Sequence, residues 1–119
     1  MKPEKVTLAF IGEDGEKIEE ELNICFNMAT EIAYEQVTGQ AFDPSSLDKV
    51  ETTIALYYAA ILANNLETKI KLEHLMYQAT ATDISALRKA VLKTFGEWAN
   101  VPDIMLKEQE GKEEESPNP

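Results

Sequence analysis

KVTLAFIGEDGEKIEEELNICF, residues 5–26, decides the fold. In its first third Val6, Leu8 and Phe10 alternate with Thr7, Ala9 and Ile11, the period-two pattern of a strand. Gly12-Glu13-Asp14-Gly15 follows, and Asp-Gly is a strong two-residue hairpin signal because both positions tolerate positive φ. On the far side Ile18, Leu22, Ile24 and Phe26 fall on one face at the same period, with Glu20 breaking the pattern. The stretch therefore predicts a β-hairpin over residues 5–25. A rival assignment remains open on sequence alone. Ile18, Leu22, Cys25, Ala29, Ala33 and Val37 also fit one long helix from about residue 16. That helix would hold Asn23 and Asn27 in its interior, where Asn is disfavoured, and would leave the strand at 5–11 without a partner.

Downstream the periodicity turns helical. FNMATEIAYEQVTGQAF, residues 26–42, predicts a helix over 28–38, with Asn27 as its cap and Gly39 as the left-handed residue that ends it. Centring the wheel on Ile32 places Met28, Ala29, Ala33 and Val37 on the apolar arc and Glu31 and Glu35 at its edge. Asp43-Pro44 reads as a cap and first-turn proline opening a long helix to about Ala63. Leu47, Val50, Ile54, Tyr57, Tyr58 and Ile61 mark its stripe, and Asn64-Asn65 ends it. A short helix capped by Thr68 is expected to hold Ile70, Leu72, Leu75 and Met76. A last one, capped by Thr82 or Asp83, runs to about Ala99 and is closed by Val101-Pro102. Its stripe is Ile84, Leu87, Val91, Phe95 and Trp98, and its wet side Arg88, Lys89 and Lys93. The expected fold is mainly α: an N-terminal hairpin and a small bundle of about four helices, one domain over residues 1–106. From Lys107, KEQEGKEEESPNP has no apolar residue and five Glu against two Lys; it cannot bury enough surface to offset its ordering entropy, so 107–119 is expected to be disordered.

Composition narrows the function. With 11 Lys and Arg against 22 Asp and Glu, the formal charge is −11. Such a surface repels phosphate backbones and anionic lipid, which argues against nucleic-acid and membrane binding. No apolar run reaches the roughly 20 residues of a membrane span, and the start of the chain lacks a signal-peptide pattern. The single cysteine, Cys25, excludes an internal disulfide and fits a reducing compartment. The expectation is a soluble, cytosolic protein.

No motif carries chemistry. Glu31 and Glu35 share a helix face but have no partner base, and a carboxylate-bridged metal site in a bundle wants Glu-x-x-His motifs from facing helices. The only histidine, His74, adjoins Glu73 on a different face and is expected at the surface or half-buried. Cys25 has no basic neighbour to activate it and reads as a buried apolar residue. DPSSLDKVE lacks the central glycine and spacing of a calcium loop. We therefore expect no enzyme, no cofactor and no metal. Large side chains near helix ends either seal a core or face a partner, and the partner-facing candidates are Phe42, Tyr58 and Trp98. Tyr57 reads as core.

One arrangement goes further. FNMATEIAYEQVTGQAF, followed by a long helix with ALYYAAILA, a short helix of the IKLEHLM type and a final amphipathic helix, resembles the tail assembly chaperones of long-tailed phages and prophages. The resemblance covers residues 17 to about 99. It implies a non-enzymatic protein of the bacterial host cytoplasm that binds the tape measure protein, and in some settings the tail tube protein, and keeps this helical, apolar client soluble during tube assembly. It also implies that a longer, frameshifted product exists in many such genes; self-association is a further expectation. Two other classes compete: an acidic regulatory or inhibitory protein that mimics DNA, and a structural tail completion protein.

Overall fold

The structure, a computed structural model, describes residues 2–99. Two antiparallel strands, β1 (Glu4–Ile11) and β2 (Lys17–Ile24), form the expected hairpin. Four helices follow: α1 (Met28–Thr38), α2 (Val50–Asn64), α3 (Leu72–Tyr77) and α4 (Ala81–Trp98). The end of the expected domain, 100–106, and the expected tail, 107–119, lie outside the described residues, as does Val101-Pro102.

Register explains why the hairpin wins over the long helix. Val6 faces Leu22, Leu8 faces Glu20 and Phe10 faces Ile18 across the ladder. Pairing puts Val6, Leu8, Phe10, Leu22 and Ile24 on one face, and all five are buried. Glu20, which breaks the apolar pattern, is only half-buried. Its carboxylate accepts the Thr68 hydroxyl at 2.6 Å and the Lys69 amide at 3.0 Å, holding the α2–α3 connection against the sheet. Residues 12–16 join the strands, and three of them, 13–15, lie inside the Gly12–Glu16 bond rather than the expected two. The Gly12 amide bonds the Glu16 carbonyl at 2.8 Å, and Gly15, at φ 83°, closes the turn onto the Gly12 carbonyl at 2.9 Å. Glycine adopts that φ with no Cβ penalty.

The buried face of the hairpin lies on α2 and α4, while α1 and α3 pack on α2. α2 is the central helix. Ala55, Ala59 and Ala60 let its neighbours approach closely, and Leu56, Tyr57 and Ile61 fill the space between. Leu87, Ala90, Val91 and Thr94 form the buried side of α4. Arg88, Lys89 and Lys93 are exposed, as expected.

Several local expectations are corrected. α1 begins and ends as the sequence indicates, with Asn27 capping Thr30 and Gly39 left-handed at φ 77°, but it is rotated. Thr30, Ala33 and Tyr34 are buried, whereas Met28 and Ile32, the expected centre of the apolar arc, are 57% and 54% exposed. The long helix does not start at Pro44. Residues 44–46 form one 3-10 turn, in which both Ser45 and Ser46 hydroxyls donate back to Asp43, at 2.9 and 2.8 Å. Such local bonds compete with helix propagation, so α2 starts only at Val50, which is exposed rather than part of the stripe. Thr68 does not cap α3; its hydroxyl accepts the Ile70 amide in the loop before it. Thr80, not Thr82 or Asp83, caps α4, and Asp83 closes the capping box from the N3 position. His74, expected at the surface or half-buried, is buried.

Candidate functional site

The junction between β2 and α1 organises one end of the molecule. Three residues, Cys25-Phe26-Asn27, turn the chain from sheet to helix, and each main-chain group there needs a partner. Thr30 donates its hydroxyl to the Cys25 carbonyl at 2.8 Å, and the Asn64 amide donates to the same oxygen at 2.8 Å. The Phe26 amide donates to the buried Thr94 hydroxyl at 2.9 Å. Asn27 caps α1 and also donates to Asn64 at 3.2 Å. Burial raises the Cys25 thiol above its ordinary pKa, which disfavours the reactive thiolate.

With the backbone so held, Phe26 points into an aromatic cluster. Its ring meets Phe95 at 5.0 Å and Trp98 at 5.1 Å, both edge-on, and Phe42 at 5.6 Å. Phe42 also meets Tyr34 edge-on at 5.4 Å. Phe26 is fully buried, Phe42 half-buried, and Trp98 37% exposed. Two of the three partner candidates, Phe42 and Trp98, are thus brought onto one ring. The exposed Met28 and Ile32 lie one turn apart on α1, which begins two residues after Phe26. Sequence reading missed them as surface residues because it assigned them to the core.

Tyr58, the third candidate, is elsewhere. It sits half-buried beside the start of α3, where burial raises its hydroxyl's pKa while a Leu72 backbone hydrogen bond and Lys71 oppose that shift. Tyr57 is buried, as expected.

The carboxylates assemble nothing comparable. Glu31 is half-buried and Glu35 exposed on α1. Among the described residues no group of three or more His, Cys, Asp or Glu is placed to hold a metal ion. A groove of about 600 Å³ lies between the hairpin turn and the start of α3, lined by Glu13, Glu19, Glu20, Lys69, Lys71 and His74 among others. Its histidine is already committed: Nδ1 accepts the Lys71 amide at 2.9 Å, and the ring stacks on Phe10 at 5.7 Å. That role explains its burial, and the sequence held no sign of it. No described helix is long and apolar enough to cross a membrane. Compared with protein-family models, curated proteins and solved structures, the chain matches none.

Proposed function

We propose that this chain is a non-enzymatic tail assembly chaperone of a long-tailed phage or prophage. In this reading it works in the cytoplasm of the bacterial host, binds the tape measure protein, and keeps it soluble while tail tube subunits assemble around it. The observation that carries the reading is an aromatic cluster that runs from the buried Phe26 out to Trp98, 37% exposed, together with the exposed Met28 and Ile32 on α1, the helix that leaves the same junction. A long helical client exposes apolar stripes until the tube covers them, and contiguous apolar surface of that kind aggregates. A helix laid on such a patch is held by side chains at i, i+3 and i+4. The −11 charge on the chaperone then keeps the complex dispersed. The sequence resemblance over residues 17 to about 99 supports the same reading.

The test is co-expression with the tape measure protein of the same genome. The client's soluble fraction should rise and the two should co-purify. The contact should persist at about 0.5 M salt, where the Debye length falls to roughly 4 Å. Trp98→Ala with Ile32→Ser should weaken it while the circular dichroism stays unchanged. A client equally soluble without this chain would remove the proposal. Binding that vanishes at moderate salt would transfer it to the acidic regulatory class.

A further inference from the structure

Two side chains close the sheet edges in the same way. Asn65 reads the outer edge of β2: its carbonyl accepts the Asn23 amide at 2.9 Å and its amide donates to the Asn23 carbonyl at 2.8 Å. Gln78 does this at the tip of β1, pairing with the Ile11 amide at 2.7 Å and carbonyl at 2.9 Å. These forks fix which residues point outward. Asn23 faces Lys5 and Ile11 faces Lys17, and antiparallel pairs alternate between inward and outward bonding. Lys5, Thr7 and Ala9 therefore turn their N–H and C=O groups away from β2. Among the described residues none of these groups has a partner, and all three side chains are exposed. Natural edges are usually blunted by proline, a bulge or a covering element. Here Gln78 covers only Ile11, and the edge behind it is straight and open.

We propose that the open edge of β1 binds an extended, acidic segment of another protein as a third strand. Charge selects the occupant. Lys93 pairs with Glu4 at 3.1 Å, which sets that flank of α4 beside the start of β1. Lys89 lies one turn back on the same flank, exposed. Lys5 is exposed on the opposite side of the sheet. With Lys93 engaged by Glu4, an added strand thus has Lys5 on one side of the sheet and Lys89 on the other, on a chain that is otherwise strongly acidic. Alternating acidic and β-branched residues suit that position, with three N–H and three C=O groups of β1 to bond. A second copy of this chain does not suit it. Strands pair about 4.8 Å apart, whereas packed helices need 8–10 Å. Joining two copies through β1 would bring both α4 helices, each packed under its own β1, into one space. A lone strand brings no helix.

The probe is an end-capped octapeptide alternating valine and glutamate, added to the full chain and followed by amide NMR. In the free protein the Val6, Leu8 and Phe10 amides should exchange slowly and those of Lys5, Thr7 and Ala9 fast. The peptide should slow the second set and shift its resonances. Thr7→Pro removes an outward N–H and no bond of the hairpin ladder, so the melting temperature should hold while peptide affinity falls at least about tenfold. Lys5→Glu with Lys89→Glu leaves the backbone intact and should give a similar loss. Slow exchange at Thr7 and Ala9 in the protein alone would overturn the proposal, because the edge would already be covered. So would full peptide affinity in both the Thr7→Pro and the double charge variants.

Discussion

Thr94 and Phe26, 68 residues apart, share one buried hydrogen bond: the Phe26 amide donates to the Thr94 hydroxyl at 2.9 Å. The same hydroxyl donates to the Ala90 carbonyl at 2.8 Å, so it is used both as acceptor and as donor inside α4. A Thr in a helix usually returns its proton to the preceding turn. Here that habit leaves a lone pair aimed at the strand–helix junction. Thr94→Val keeps the shape and deletes the acceptor, stranding a buried N–H. It should cost about 1–3 kcal/mol, with Thr94→Ser milder, as read from urea midpoints at unchanged slope. A neutral Thr94→Val would show that Phe26 finds another acceptor.

Gly39 closes α1 at φ 77°, and a side chain built there meets nothing within 4 Å. Any penalty is then conformational rather than steric. Gly39→Val should destabilise by roughly 1–2 kcal/mol, and Gly39→Asn by less, because Asn tolerates the left-handed region. Thermal melts distinguish this from equal losses, which would point to hidden contacts.

Asp43 organises the 3-10 turn before α2. The Ser45 amide and then its hydroxyl hydrogen-bond the carboxylate, and both hold its pKa below the ordinary aspartate value. A folded value below the unfolded one means the contribution is present above the unfolded value and is lost as pH falls through the folded one. The Ser45 amide resonance should move toward its random-coil position on acidification through that range. In Asp43→Ala it should lie there at every pH. A Ser45 resonance insensitive to both changes would remove Asp43 from the turn.

Glu31 and Glu35 are adjacent like charges on one helix face, with no cation bound to either in the described residues. Replacing both with Gln should change stability by no more than about 0.5 kcal/mol and leave client binding intact. A large loss of binding would make them part of the client surface.

The hairpin and α1 were legible because their signals are local. Alternation, a Gly in the turn, Asn27 and Gly39 each act within a few residues. The rotation of α1 was not. A wheel ranks Met28 and Ile32 above Thr30, yet Thr30 is fully buried, its hydroxyl satisfied by the Cys25 carbonyl. Thr30 shares the buried side with Ala33 and with Tyr34, which packs on Phe42, and Met28 and Ile32 fall on the other side. The candidate surface was therefore half visible: Phe42 and Trp98 were named, Met28 and Ile32 were assigned to the core. The late start of α2 follows from Ser45 and Ser46 bonding back to Asp43, a choice that Asp-Pro alone does not reveal. Asn65 and Gln78 were invisible as edge caps, since an amide side chain in a loop carries no mark of the distant backbone it will bind.

Those two amides also set a timetable. The hairpin leaves the ribosome early, but its tip is tied down only when Gln78 arrives, 67 residues after Ile11. At synthesis rates of about 5–20 residues per second, that gap lasts roughly 3–13 s. Before α2 and Asn65 follow, the two strands form an isolated pair, which is marginal in water; from Asn65 to Gln78 only the β2 side is held. The tip of the hairpin thus becomes secure only after Gln78 has been translated, and nascent-chain pausing placed before residue 78 should leave that tip sensitive to protease.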